Sequence, residues 1–444
     1  MGGLACALSL ARQGFTKIDV YETASNLGFV GAGIQLAPNM ARILDRFGVW
    51  DEIAAEAVDL KETSIRRENS HLRAIFKLQL TDRIEGSTDK ELAHVDLNYI
   101  RSTYNYPHMV GHRASLAGGM FNGCKRENAI KFHFSHQCEG MKTFSPKPKF
   151  TVTPRGKEPF DVECDVVLAC DGVKSKVREQ ILTELGVHAQ VQDTGQAAYR
   201  IMLTREEMLS DPELAVLIDA DKVTRWIGEK RHIIAYPVSS KKIYNISTAQ
   251  PDTNFAAEVS ATYTTKGSKK QMLEVYGDFC PMIHRMLNLV PEGEVCEWRL
   301  RTHSRLPTWV HGCVALVGDA CHPTLPHLAQ GAAQAIEDAA VLGVTLVNCP
   351  DGKPESINKS LKVYEKVRYE RAYTLVDLAA ASGRALHLGD GAAKEERDKQ
   401  FEALKKGKGA VPDKWADADV QKNIYGTDVM QEAQDNFQTF FNEA

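Results

Sequence analysis

Residues 312–343 read GCVALVGDACHPTLPHLAQGAAQAIEDAAVLG. The apolar run 314–317 has the composition of a strand buried on both faces. Gly318-Asp319 ends it, so the first polar side chain stands at a strand's carboxyl end, where open α/β sheets bind their ligands. A turn containing Pro323 and Pro326 follows. Gln330-Gly331-Ala332-Ala333 then opens a helix with small residues that let a bulky group approach the backbone amides. Ile336, Ala339, Ala340 and Gly343 recur at the three- and four-residue spacing of a buried helix face. Glu337 and Asp338 are expected to be favoured by the positive end of the helix dipole.

Two other stretches share this grammar. Residues 165–178, DVVLACDGVKSKVR, give a second apolar strand, a tight turn at Asp171-Gly172 and a helix starting near Ser175. At the start of the chain, Leu4, Ala5, Leu8 and Ala11 share a helical face ended by Gly14, and residues 17–21 form a strand leading to Glu22. A helix and then a strand ending in an acid, about 20 residues beyond a glycine pair, is the second half of a dinucleotide-binding fingerprint. Its first half would be a strand and Gly-x-Gly, whereas the chain opens on Met1-Gly2-Gly3. Gly3 is then the third fingerprint glycine and Glu22 the partner of an adenosine ribose. The expectation is a dinucleotide fold shortened at its N-terminus, without its first strand and two pyrophosphate-contacting glycines.

With 444 residues the chain can form two or three domains, and 43% hydrophobic with 25% charged residues is ordinary for a globular protein. A formal net charge of −4 argues against nucleic-acid binding. Ten cysteines without CxxC spacing point to reduced thiols in a cytoplasmic protein and to no metal site. No apolar run reaches 18 residues, so no membrane span is expected. Arg12 interrupts the initial apolar stretch and no basic segment precedes it, so no secretory signal is expected.

Between these motifs the pattern changes. Residues 61–100 alternate charged and apolar side chains, and residues 190–250 contain short strands at 198–203, 224–227, 232–238 and 243–248. Both regions read as antiparallel sheet outside the parallel core. In a strand through His232, Ile234 and Tyr236, these three side chains point to one face. Residues 298–307, WRLRTHSRLP, read as a solvated connector that could steer an anion. A long amphipathic helix follows at 360–385, and 394–408 reads as a charged, solvated segment.

The motif GDACHPTLPHLAQGAAQAIEDA resembles the Gly-Asp flavin motif of the FAD-dependent aromatic hydroxylases, in particular their salicylate hydroxylase-like branch. DVVLACDGVKSKVR resembles that family's Asp-Gly motif, GAGIQLAPN its segment beside the flavin, Tyr199-Arg200 its Tyr-Arg pair, and YEKVRYERA its C-terminal helix. The resemblance runs from Gly2 to about Tyr425. It implies an α/β fold with three parts. The first is a discontinuous, Rossmann-like FAD-binding domain (1–60, 101–180 and 281–350) whose first strand is missing. The others are an antiparallel substrate domain (61–100 and 181–280) and a helical C-terminal region (351–444).

Carried over residue by residue, the resemblance assigns FAD contacts to Gly3, Glu22, Ala32, Gly33, Arg113, Asp171, Asp319, Gly331 and Ala332. It assigns catalytic or substrate-orienting roles to Arg200, Tyr236 and His232, with His322 and His327 as further candidates. The implied reaction is hydroxylation of a phenolic, salicylate-like aromatic compound by NAD(P)H and O2 through a C4a-hydroperoxyflavin. Two alternatives are an FAD-dependent oxidase or dehydrogenase on the same scaffold, and a shortened chain that no longer binds FAD.

Overall fold

The computed structural model describes residues 1–27, 32–67, 91–187, 191–253, 264–404 and 412–444. Gly31 of the glycine segment and part of the alternation expected at 61–100 lie outside the described residues. Five helices organise the molecule: α1 (Gly2–Arg12), α2 (Arg113–Lys125), α3 (Lys176–Glu184), α4 (Gly331–Val347) and α5 (Pro354–Leu386).

The parallel strands are short and fall into two sheets. Ile18–Glu22 pairs in parallel with Ile130–Phe134. Val167–Ala169 pairs in parallel with Val314–Leu316, which Val310–His311 extends on its other side. Among the described residues no strand joins the two. Helices α1 and α4 pack together beside them, and Gly343 makes this approach close, because a side chain there would collide with Ser9 Oγ. Fully buried Leu8, Leu316, Ile336 and Ala340 belong to the core formed between these elements. A separate three-stranded antiparallel sheet, His136–Thr143, Lys149–Pro154 and Phe160–Glu163, rides on this half of the molecule.

The second half is one eight-stranded sheet. Its spatial order is Thr264–Lys266, Cys296–His303, Val191–Thr204, Ile243–Pro251, Arg231–Val238, Lys222–Gly228, Glu62–Arg67 and Glu91–Asp96. The two sequence regions expected to form the substrate domain thus meet in a single sheet. Three features differ from the expectation. The sheet is mixed, since Lys222–Gly228 runs parallel to Glu62–Arg67. The stretch expected to be a solvated connector is largely the strand Cys296–His303, and Arg299 Nε lies 2.7 Å from Asp252. The substrate half therefore continues past residue 280, and helix Pro281–Asn288 packs into its core.

The two faces of this sheet have different tasks. Tyr199, Ile201, Trp226, Ile233 and Ile246 point to one side and are sealed by helices such as Pro212–Asp219 and Pro281–Asn288. The alternate residues, including Arg200, Tyr236 and Asn245, point to the other side, towards the flavin-type motifs. Helix α5 starts six residues before the expected boundary at 360 and runs along both halves. Beyond it, helix Ala392–Leu404 is less solvated than its charges suggest, with Phe401 fully buried. Among the described residues no helix is long and apolar enough to cross a membrane.

Candidate cofactor and substrate site

The ends of the parallel strands meet the start of α1 and the first turns of α4, with Gly2 beside Cys170, Val317 and Ala335. The first residue of α1 lies within electrostatic reach of Arg113, Asp319 and Glu22, and Gly3 stands beside Cys170, so groups from four separate motifs converge. Solvent reaches Asp319, yet the protein around it is dense enough that burial raises its pKa against the pull of His322 and Arg113. A carboxylate both wetted and enclosed lies in a concave site. Arg113 begins α2 after His112, whose Nδ1 accepts a hydrogen bond from Ala114 N, and Arg113 N donates to Ala32 O at 2.9 Å.

Neither α1 nor α4 has a side chain capping its N-terminus. Their first amides are donors available to a ligand, and each helix dipole places positive charge there. Gly331 is tightly seated, since a methyl on it would stand 3.3 Å from Thr324 Cγ2. Gly318 needs to be glycine for two reasons: its φ is +62°, and a Cβ would come within 2.9 Å of Ala335 Cβ. Gly3 has no such need, because an added Cβ would meet only Cys170 at ordinary contact distance. Among the described residues nothing therefore excludes a side chain at position 3.

Asp171 and Glu22 are held by local turns. Asp171 accepts a hydrogen bond from Val177 N at 3.3 Å, and Glu22 accepts one from Ala24 N at 2.9 Å. Each has a second carboxylate oxygen for a ligand. Arg178, buried at the start of α3, donates to Ala320 O and Val173 O and so ties the Asp-Gly turn to the Gly-Asp loop. The sequence placed it at a helix start without assigning it this bracing role.

Glu337 and Asp338 lie in the second turn of α4 and are wholly buried, so the helix dipole does not account for them. Arg368 of α5 donates through Nε to Asp338 at 2.9 Å and through Nη1 to Glu337 at 2.5 Å. Arg371 makes two further bonds to Glu337, each 2.8 Å. Burial opposes ionisation of Glu337, but Arg371 and Arg368 outweigh it and hold the pKa at about 2. The outer oxygen of Asp338 accepts from Gly318 N at 2.9 Å and lies 2.6 Å from His322 Nε2. His322 is thus engaged behind the Gly-Asp loop and supports it from below.

The sheet face opposite carries the other candidates. Arg200 stacks over the Trp298 ring at 4.3 Å, and its pKa is lowered by burial and by Arg113, while Tyr236 pulls the other way. Tyr236 is buried, which raises its pKa against the influence of Arg200, so it is a neutral phenol near neutral pH. Directly across the strand pair from Tyr236 stands Asn245. Its Oδ1 accepts a hydrogen bond from Gly33 N at 2.6 Å, and its buried Nδ2 has no partner. Gly33 is where the two halves touch: a Cβ there would stand 2.7 Å from Tyr236 Cε2 and closer still to Asn245. Asn245 went unnoticed in the sequence, although a lone Asn between Tyr244 and Ile246 in a buried strand is a visible signal.

The structure therefore brings Arg200, Tyr236, Arg113 and Gly33 together. It places His232 elsewhere on the same face, beside His327 and His387.

A family model described as an FAD binding domain matches residues 1–379. The chain is 30% identical to 3-hydroxybenzoate 6-hydroxylase 1 of Aquipseudomonas alcaligenes over 376 residues, 84% of this chain and 83% of that protein. The chain belongs to the FAD-dependent aromatic hydroxylases. It is also 29% identical to the FAD-dependent monooxygenase OpS4 of Beauveria bassiana (strain ARSEF 2860), over 97% of this chain and 93% of that protein. Among solved structures it shares the fold of a salicylate hydroxylase substrate complex. That match has a TM-score of 0.74 and 21% identity, covering 98% of this chain and 95% of that one. As a member of these hydroxylases the protein is an FAD-dependent monooxygenase. An exposed carboxylate at Asp319, two uncapped helix starts and the nearby Arg113 suit the hydroxyls, phosphates and electron-poor ring of FAD.

Proposed function

We propose that this monooxygenase hydroxylates a phenolic aromatic acid, using NAD(P)H as reductant and O2 as the oxygen source. The observation that carries this reading is the polar set on one sheet face: the cation of Arg200, the neutral phenol of Tyr236 and the unpartnered amide of Asn245. Relatives named for 3-hydroxybenzoate and 6-hydroxynicotinate support an anionic, ring-hydroxylated substrate. The unpaired thiols support a cytoplasmic setting.

Asp319 and the amides of Gly331 and Ala332 would hold the flavin end of FAD. Arg113, Asp171, Ala32 and Gly33 would lie along its middle, and Glu22 and the Gly3 end of α1 at its adenosine end. Bound FAD, once reduced, supplies the activation of O2. The protein's own residues do the rest. Arg200 favours the phenolate or carboxylate form of the substrate, and an ionised phenol makes the ring more nucleophilic. Tyr236 donates a hydrogen bond rather than accepting a proton, because burial keeps it protonated. Asn245 donates from Nδ2 while its Oδ1 stays tied to Gly33 N, fixing the amide's orientation. The far face of the sheet is packed against helices, so this wall is backed by a closed core.

The test is substrate-stimulated NAD(P)H oxidation by the yellow, FAD-loaded protein with 3-hydroxybenzoate, salicylate and 6-hydroxynicotinate. At least one acid is expected to stimulate oxidation. Arg200→Ala is expected to lower kcat/KM on that acid about 100-fold or more with flavin content unchanged. Equal stimulation in Arg200→Ala and Tyr236→Phe would overturn the assignment of the substrate wall.

A further inference from the structure

We propose that His232, His327 and His387 form a binding site for one divalent first-row cation of the zinc class, clasping three distant parts of the chain. His232 lies on the strand Arg231–Val238, His327 in the turn Pro326–Leu328 just before α4, and His387 directly after α5. One nitrogen from each ring lies within 4.8 Å of the other two. All three histidines are buried.

Two observations bear on His327, and the first of them points to a ligand. His327 is buried, and neither of its ring nitrogens has a partner. A neutral imidazole always carries one N–H and one lone pair, so this ring leaves both a donor and an acceptor unsatisfied. The second observation is the space made for it. A Cβ on Gly383 of α5 would stand 2.6 Å from His327 Cδ2 and 2.7 Å from Nε2, so the helix has no side chain where the ring sits. Opposite it, His232 Nδ1 and His387 Nε2 are 2.6 Å apart, one donating and one accepting.

Burial keeps the three rings in the form a metal needs. It lowers His327 to about 3 and His387 to about 4, and pushes His232 well below its usual value, so all three are neutral at pH 7. The charges facing the cluster are compensated. Arg225, from the strand Lys222–Gly228, pairs with Asp413 at 3.2 Å, and Arg397, from the helix after α5, pairs with Asp398 at 2.8 Å. Tyr276 donates to the backbone oxygen of His232 and not to its ring.

Three imidazoles suit zinc and its neighbours, with water as a fourth ligand. Metal–nitrogen bonds of about 2.0–2.1 Å place tetrahedral ligand atoms roughly 3.4 Å apart. The short His232–His387 contact would open and the His327 ring close in, each by roughly 1 Å. The bound ion would pin the loop that leads into the flavin-facing start of α4. The three positions are 95 and 60 residues apart, so no spacing in the sequence announces the site.

The test uses the FAD-loaded enzyme, stripped with a chelator, dialysed against Zn2+ and analysed for metal. Wild type is expected to retain about one zinc per chain more than His327→Gln or His387→Gln, and zinc is expected to raise the temperature of flavin release in wild type alone. Equal zinc in wild type and both variants, or none retained by wild type, overturns the proposal. A cadmium-113 resonance on unmodified protein gives a second reading that needs no variant. A shift in the nitrogen-ligand range supports the site, and one in the thiolate range overturns it. Both readouts are independent of hydroxylation, so failure of the zinc site leaves the substrate reading standing.

Discussion

Gly33 and Asn245 lie 212 residues apart and share a 2.6 Å hydrogen bond between the cofactor half and the substrate half. A methyl group on Gly33 has no room, because Tyr236 and Asn245 occupy the position its Cβ would take. Gly33→Ala is therefore expected to push the sheet away, costing about 1–3 kcal/mol of stability. It should also raise the share of NAD(P)H oxidised without product. Thermal unfolding and the ratio of product to NAD(P)H consumed would check this. Unchanged coupling in a stable Gly33→Ala protein would contradict the contact's importance. The sequence reading reached Gly33, Arg200 and Tyr236 through a family resemblance, and it placed His232 and Tyr236 on one face from strand alternation alone. It did not reach the partners of His232, which stand 95 and 155 residues away, where no local pattern encodes them. It passed over Asn245, whose place in a buried strand was visible but whose link to Gly33 spans 212 residues.

Helices α4 and α5 are joined by a buried charge network rather than by apolar packing alone. Glu337 and Asp338 looked like residues placed for a helix dipole because their partners come 30 to 34 positions later, on the far side of a loop. Such a network contributes mainly through the cost of breaking it: removing one partner strands the other in the interior. Arg368→Met is expected to lose about 3–5 kcal/mol, measured as a shift in the urea midpoint. A loss below about 1 kcal/mol would mean that water reaches the pair. The same network sets a pH dependence. Glu337 has a pKa of about 2 in the folded chain against an ordinary 4.5. Its ionisation therefore adds stability that is fully present above pH 4.5 and is lost as the pH falls from there towards 2. Wild type and Glu337→Gln should differ in stability at pH 7 and converge across that window. Parallel curves would contradict the ion pairing.

At the scale of the whole molecule, the strand–turn–helix units at 165–178 and 312–343 were legible because each encodes its own geometry in consecutive residues. The division of labour between the sheets was legible only in part. Residues 298–307 carry three arginines and read as a connector, yet pairing with Val191–Thr204 makes most of them a strand whose charges find partners such as Asp252. The resulting architecture sets Asp319 and Arg113, the proposed cofactor contacts, against a sheet face that carries Arg200, Tyr236 and Asn245. In the proposed function this wall holds the ring for oxygen transfer, whereas an oxidase on the same scaffold would leave oxygen out of the aromatic product. Incubation of the FAD-loaded enzyme with NAD(P)H, isotopically labelled O2 and a stimulating hydroxybenzoate tests this most directly. One labelled oxygen atom is expected in the aromatic product. Oxygen consumption that yields hydrogen peroxide and unlabelled aromatic compound would contradict it.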